Sequence, residues 1–266
     1  MPSTTKIGRI FSMEWGSALQ YRADIVLWMI AETLVPILSL AVWHTVSLAR
    51  TSGPGPQETI TYYLLIMLIR ILTSAWGGMF LVRSILNGEI VKDLVKPVWP
   101  FWKLIANNIC EKTLKLLLPI LVIGSFIVWN SDLVSPNVFI PTNLLLGLLS
   151  LVLAVVVSFA LDIVMGFFAF WLEDAFQIRR YAFMMESIAS GLLIPFAVMP
   201  DLAKTLLSFL PFRYTLSLPA ELFLGQLDTP AIIAAFGAQL AWATGLVVIG
   251  MYMWRAGLKR YAVPGQ

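Results

Sequence analysis

Long apolar stretches follow one another through this sequence and leave few positions for charged side chains. A helix needs about 20 mostly apolar residues to cross the hydrocarbon core of a bilayer. Five clear spans and one broken span are predicted on this criterion, and the third and fifth are short. They occupy residues 25–49, 59–82, 114–129, 143–172, 187–199 and 231–254.

The composition excludes several classes of protein. Hydrophobic residues make up 59% of the chain and charged residues 12%, whereas soluble domains carry about 25% charged residues. A soluble enzyme, a nucleic-acid-binding protein and a disordered chain are therefore excluded. The single Cys110 and the single His44 leave no pair for an intramolecular disulfide or for a paired-cysteine or His-pair metal site.

The basic residues give the orientation. Most of the 18 Lys and Arg residues fall in the N-terminal segment, the second and fourth connections and the C-terminus, whereas Arg50, Lys204 and Arg213 fall on the other side. Cytoplasmic connections carry an excess of Lys and Arg. We therefore expect six spans with both termini in the cytoplasm.

The first 24 residues contain an apolar stripe. Ile7, Phe11, Trp15 and Leu19 recur at a spacing of four, which predicts an amphipathic helix on the cytoplasmic face of the bilayer. The alternative is a solvated lead-in to the first span.

The external segment 201–230 is strongly apolar and would not stay in water. We expect it to re-enter the outer leaflet as short helices joined at Pro211 and Pro219, packed on protein. No internal repeat divides the chain, so residues 1–266 form one domain.

The cytoplasmic connection 83–113 is polar. Leu86, Ile90 and Leu94 recur at a spacing of four, and this predicts a short helix that ends before Pro97, because a residue before proline avoids helical dihedrals. The helix is either a passive linker or a contact for a partner protein. Its polar positions are Asn87, Gly88, Glu89, Lys92, Asp93 and Lys96.

Three ionisable residues lie inside predicted spans: Glu32, Arg70 and Asp162. An isolated charge at the centre of a spanning helix costs about 2.5–3.5 kcal/mol, so these residues should pair or face water. Arg70 and Asp162 lie at nearly matching depths, and we expect them to pair, with Glu32 as the alternative partner of Arg70. The group is either a structural ion pair or part of a translocation path.

Small residues also repeat at a spacing of four, which lets helices approach closely in lipid. We expect helix packing at these positions, within the subunit or across a dimer. They are Ser158 and Gly166 in the fourth span, and Gly237, Ala241 and Gly245 in the last.

Sequence motifs for catalysis are missing. The chain contains no G-x-x-x-x-G-K-[ST] phosphate loop and therefore cannot bind ATP through one. It also contains neither the H-E-x-x-H motif of zinc proteases nor the nucleophile elbow of hydrolases.

Several short motifs follow one another over nearly the whole chain. They are Glu14-Trp15, Tyr21-Arg22-Ala23-Asp24, Thr61-Tyr62-Tyr63 with Arg70, Asn87-Gly88-Glu89, Leu94-Val95-Lys96-Pro97, Ser190-Gly191 with Pro195 and Pro200, Leu210-Pro211-Phe212, and Pro219-Ala220-Glu221 with Leu224-Gly225. In the order and spacing of these motifs, the sequence resembles the permease subunits of type-2 ABC exporters, within the daunorubicin-resistance-like permease subgroup.

This resemblance implies an all-α membrane protein with six transmembrane helices. It also implies an N-terminal interfacial helix (1–24), a cytoplasmic coupling segment (83–113) and a re-entrant external segment (201–230). Two permeases, identical or related, would face each other in the lipid. Each would engage a separate cytoplasmic ABC ATPase that binds ATP and Mg²⁺. The coupling helix corresponds to 87–96, which favours the partner-contact interpretation of that helix.

The resulting hypothesis is a permease subunit that exports an amphiphilic or lipid-like substrate. Two alternatives are an intramembrane lipid-processing enzyme and a membrane anchor that recruits a cytoplasmic partner without transport. A neighbouring gene for an ATPase with a phosphate loop would favour transport over both.

Overall fold

The computed structural model describes residues 4–49, 53–96 and 98–261. These residues form α-helices and short 3-10 turns, with no β-strand among them. The predictions that concern Arg50 and Pro97 lie outside the described residues. The α-helices are α1 Thr4–Gln20, α2 Arg22–Ala49, α3 Pro56–Thr73, α4 Gly77–Leu86, α5 Ile90–Leu94, α6 Phe101–Lys115, α7 Leu117–Trp129, α8 Pro141–Phe167, α9 Ala175–Ala189, α10 Asp201–Ser208, α11 Ser217–Phe223 and α12 Thr229–Tyr261.

Five helical stretches are long and apolar enough to cross a membrane. They coincide with the first, second, third, fourth and sixth predicted spans, which confirms an all-α membrane protein. A total of six spans stays a prediction. The five stretches are Arg22–Ala49, Pro56–Leu86, Phe101–Trp129, Pro141–Phe170 and Thr229–Arg260.

The third stretch begins earlier than predicted. α6 and α7 meet at Leu116, which keeps helical dihedrals, so the helix runs from Phe101 rather than from residue 114. Lys112 and Lys115 lower the hydropathy of this part of the sequence. Both are buried, with 8% and 1% of their surface exposed, because other helices cover them.

The fifth predicted span, 187–199, is wrong as a continuous helix. α9 ends at Ala189, and Gly191 then has a φ of +90°, a conformation that costs glycine little and other residues much. A Cβ at Gly191 would collide with Ser217 Oγ and lie 2.5 Å from the Tyr62 hydroxyl. The backbone therefore leaves the helix where α11 and α3 come closest to it.

The chain from α9 onward nevertheless follows α3 over most of its length. Side-chain and backbone contacts fix an antiparallel direction along the second stretch. The Arg179 guanidinium donates a hydrogen bond to the Ala75 carbonyl, Glu186 forms an ion pair with Arg70, and the Tyr62 hydroxyl donates to the Gly191 carbonyl. The partners run backward along the second stretch as the chain from α9 runs forward.

α8 lies at the centre of the bundle and packs against α4, α11 and α12. Ser158 is buried on it, and a Cβ at Gly166 would lie 2.9 Å from the Cα of Gly78 on α4. α4 and α8 therefore approach closely at Gly166, where only glycine leaves room for the other backbone. The packing role expected of Ser158 stays a prediction.

The small residues of α12 do not face α8. Gln239 and Ala243 are buried in the contact with α8, whereas Gly237 and Ala241 are exposed and Gly245 is half-buried. No atom would come within 4 Å of a Cβ at Gly237 or Gly245. Packing within the subunit is therefore wrong for this stripe, and packing across a dimer stays a prediction.

α1 packs against α6. Asn107 Nδ2 donates to Glu14 Oε2 at 3.0 Å, and Glu14 and Ala18 are buried. Trp15 and Leu19 of the predicted stripe are exposed. The helix itself is present over Thr4–Gln20, and its position at the membrane surface stays a prediction.

The apolar segment 201–230 contains α10, a 3-10 turn at Pro211–Thr215 and α11. Every residue of α11 is buried, and it packs against α8 and α3. The predicted joint at Pro211 coincides with the turn, but a joint at Pro219 is wrong. Pro219 lies in the first turn of α11, where a missing N–H removes no helical hydrogen bond.

Candidate functional site

The second membrane stretch is interrupted between α3 and α4. Ser74 leaves the helix with φ −53° and ψ 137°, and Trp76 has φ −124° and ψ 0°. Gly77 and Gly78 follow, and paired glycines weaken a helix at this point. The break frees backbone groups that lipid cannot satisfy.

Side chains from three other helices satisfy these backbone groups. Asn108 of α6 donates to the Ser74 carbonyl at 3.1 Å, Arg179 Nη2 of α9 donates to the Ala75 carbonyl at 3.0 Å, and the Gly78 N–H donates to Asp162 Oδ2 of α8 at 2.5 Å. The break is therefore a built feature that joins α6, α8 and α9 to the interrupted helix.

The ion pairs around the break differ from those predicted. Arg70 pairs with Glu186 at 3.4 Å, and Asp162 pairs with Arg179, whose Nε lies 2.5 Å from Oδ1. The expected Arg70–Asp162 pair is wrong, and so is the alternative with Glu32. Both residues are nevertheless paired, because α9 supplies the missing partners.

Glu32 has a separate buried partner. Lys115 Nζ lies 2.9 Å from Glu32 Oε1 and 2.5 Å from Glu111. This pair links α2 to α6 next to the break. Among the described residues, none donates to Glu32 Oε2.

Trp76 lies between the two groups of charges. The Lys115 ammonium and the Arg179 guanidinium each lie 6.0 Å from a Trp76 ring centroid, within reach of a cation–π interaction. Trp28 and Phe183 contact the same indole. The side chain in the break is therefore held by aromatic and cationic neighbours from α2, α6 and α9.

A pocket opens beside these pairs. Arg70 and Asp162 both line it, with Arg179, Glu186 and Ser158. Arg70 and Asp162 therefore lie near each other, as predicted, but each forms an ion pair with a residue of α9 instead of with the other. Because each carboxylate here is engaged by a cation, the arrangement suits holding helices together and exchanging partners more than acid–base chemistry.

Arg179 and Glu186 were missed because the predicted fifth span begins at residue 187, which left both residues in the preceding connection. Arg179 is only 6% exposed. A signal was present: the two residues are seven apart, which places them on one helical face. That face is directed at the break.

The coupling positions are exposed at the far end of α4. Gly88 has a φ of +75°, so α4 ends and α5 begins at Ile90 instead of forming one helix over 87–96. Ile90 is buried in the same cluster as Val82 and Ile85. Of the six predicted coupling positions, only Lys92 and Asp93 lie in α5. Asn87, Gly88, Glu89, Lys92 and Lys96 are exposed, and Asp93 is half-buried and 2.7 Å from Lys96 Nζ. Their contact with a partner protein stays a prediction.

Comparison with known proteins supports the interpretation of the sequence. The family model described as "ABC-2 family transporter protein" matches residues 52–265, from just before α3 to beyond the end of α12. A comparison with curated proteins gave no match. Because the match covers well over half of the chain, the chain belongs to the ABC-2 transporter family, as a membrane component of an ABC transporter.

Proposed function

We propose that the chain is the permease subunit of an ATP-driven exporter in a bacterial plasma membrane. Family membership implies association with an ABC ATPase. In this proposal the separate ATPase binds ATP and Mg²⁺, and both termini of the permease lie in the cytoplasm, where most Lys and Arg residues are placed.

A six-span arrangement follows if the chain from α9 to Val198 crosses the bilayer beside α3. Its antiparallel contacts with Ala75, Arg70 and Tyr62 support that crossing. The two ends of the molecule then lie on opposite sides of the membrane, with α5 inside and α10 outside.

The observation that carries the proposal is the exposed α5 on the end of α4. Ile90 anchors α5 in the buried cluster that also holds Val82, while Glu89 and Lys92 are exposed. An ATPase bound to α5 would therefore move α4, and the other end of α4 is the break with its buried ion pairs.

The second permease subunit and the substrate complete the proposal. The outward stripe of Gly237, Ala241 and Gly245 on α12 suits a close helix contact across a dimer. The few intramembrane charges are taken up in pairs, so an amphiphilic or lipid-like substrate fits the path better than a sugar or an ion.

The test is capture of the ATPase. A tagged chain is coexpressed with the ABC ATPase of its gene neighbourhood, as wild type and as Glu89→Lys/Asp93→Lys. We expect the wild type to copurify with the ATPase and the double variant to lose it while eluting as the same folded particle.

The matched control is Glu173→Lys/Asp174→Lys, which reverses two exposed carboxylates in another connection and should retain the ATPase. Equal capture by both double variants would remove α5 as the contact, and no capture by the wild type would reject the permease assignment.

A further inference from the structure

A second pocket lies at the end of the bundle opposite to α5. It is partly open to solvent and is formed by the end of α2, the start of α3, the chain at residues 195–198 and α11. The proposed orientation places it on the outer side of the membrane.

Two carboxylates line this pocket, and none of the described residues in the lining is basic. The carboxylates are Glu58 at the start of α3 and Glu221 on α11. Glu58 is half-buried, and Glu221 is only 3% exposed. The pocket lining is therefore acidic.

Glu221 is only half satisfied by the protein. Arg213 Nη2 lies 2.8 Å from Oε2, but no described residue donates to Oε1, which is buried. Arg213 is held 4.0 Å from the Phe196 ring centroid and is not part of the pocket lining. A buried carboxylate oxygen without a donor is costly, and a ligand N–H group would remove that cost.

The aromatic walls of the pocket are fixed in place. The Trp43 indole N–H donates to the Leu193 carbonyl at 2.8 Å, and the Tyr62 hydroxyl donates to the Gly191 carbonyl at 2.9 Å. These bonds hold both rings by their polar ends. Aromatic faces attract cations, so the rings add to the effect of the two carboxylates.

The remaining lining accepts an apolar chain. Val46, Pro195 and Val198 lie beside the rings, and the adjacent surface of α2 exposes Val42. An alkyl tail could therefore extend from the pocket along α2.

We infer that this pocket binds the ammonium group of an alkylamine or of an amine-bearing lipid headgroup. The ammonium donates to Glu221 Oε1 and lies near Glu58, with its alkyl part against the apolar wall. This site is separate from the buried pairs at the α3–α4 break, and its occupancy requires no ATPase.

The test measures binding of tritiated decylamine to the full-length chain in dodecyl maltoside, a neutral detergent, by scintillation proximity. Unlabelled decylamine should compete at least about tenfold better than decanol, because only the ammonium brings a positive charge that can pair with the carboxylates. Equal competition by the two compounds would overturn the assignment.

Two pocket variants and a control locate the site. Glu221→Gln should weaken binding by about tenfold or more and Glu58→Gln by about threefold, whereas Asp201→Asn, a fully exposed carboxylate on the same end, should bind as wild type. If Glu221→Gln fails to fold, Glu58→Gln carries the test, and wild-type binding by it would overturn the assignment.

A further arm separates the two ligand sources. Phosphatidylethanolamine added to the micelles should compete with decylamine if a lipid headgroup occupies the pocket, and phosphatidylglycerol should not. Competition by decylamine alone assigns the site to a free amine. Because no ATPase is present, failure here leaves the ATPase-capture experiment intact, and failure of that experiment leaves this one intact.

Discussion

Arg179 on α9 and Asp162 on α8 form a buried ion pair in which Nε lies 2.5 Å from Oδ1. The two residues are 6% and 4% exposed. Arg179 also bonds the Ala75 carbonyl, and the second oxygen of Asp162 accepts the Gly78 N–H. The two residues of this pair therefore bond to backbone groups on both sides of the α3–α4 break.

Breaking this pair should destabilise the fold strongly. Arg179→Gln and Asp162→Asn should each reduce the free energy of unfolding by about 3–5 kcal/mol, because each leaves a buried charge without its partner. The loss is measured as a lower Tm by size-exclusion chromatography after heating.

The double variant should lose less than the sum of the two single losses, since no stranded charge remains. Its recovery is partial because the Ala75 carbonyl stays unpaired. The control is Arg180→Gln, which changes the adjacent, exposed arginine and should leave Tm unchanged. Strict additivity in the double variant would contradict the pairing.

Gly78→Ala should be among the most damaging small substitutions in the chain. A Cβ there would collide with the Asp162 carbonyl oxygen and lie 2.9 Å from Oδ1. Overpacking of this kind costs about 1–3 kcal/mol. The neighbouring Gly77→Ala meets only side chains, the nearest being Ile163 Cδ1 at 3.3 Å, and should keep a higher Tm. The reverse order of the two Tm values would contradict the close approach of α4 and α8.

A charge swap tests the partner of Arg70. Arg70→Glu and Glu186→Arg should each lower the yield of folded protein, since like charges then meet in a site that is largely buried. The combined variant restores opposite charges and should recover much of the yield. Arg70→Glu combined with Asp162→Arg should not recover, because Asp162 belongs to Arg179. Recovery of only the Asp162 combination would reverse the assignment.

Much of the architecture could be predicted from the sequence, since an apolar run of sufficient length has few options other than a spanning helix. Gly166 was expected at a helix contact because it belongs to a ladder of small residues at a spacing of four, and it faces Gly78 of α4. Local pattern sufficed in both cases.

The pairing of the buried charges could not be predicted. Arg179 and Glu186 lower the hydropathy of α9, which moved the predicted fifth span toward residues 187–199 and left both residues in a loop. Which cation meets Asp162 depends on how α9 crosses α8, and hydropathy contains no information about that crossing. Hydropathy likewise does not show which face of α12 meets α8, so it could not predict that Gly237 is directed away from α8.

Membrane topology can be tested by thiol labelling of intact cells. In a Cys110→Ala background, cysteines at Asp132 and Leu202 should react with an impermeant maleimide. Cysteines at Glu89 and Glu173 should react only after the cells are permeabilised, because the positive-inside rule places both connections in the cytoplasm. Labelling of Glu89 and Glu173 in intact cells would invert the proposed orientation.

ATP turnover by the partner ATPase tests the central claim most directly. Proteoliposomes are prepared with the ATPase and the wild-type chain, with the ATPase and Glu89→Lys/Asp93→Lys, and with the ATPase and Glu173→Lys/Asp174→Lys. If α5 transmits the state of the ATPase to the membrane helices, ATP turnover should be several-fold higher with the wild type than with the ATPase alone. The Glu173/Asp174 variant should match the wild type. The Glu89/Asp93 variant should match the ATPase alone. Equal turnover in all samples would contradict a permease that is coupled to its ATPase through α5.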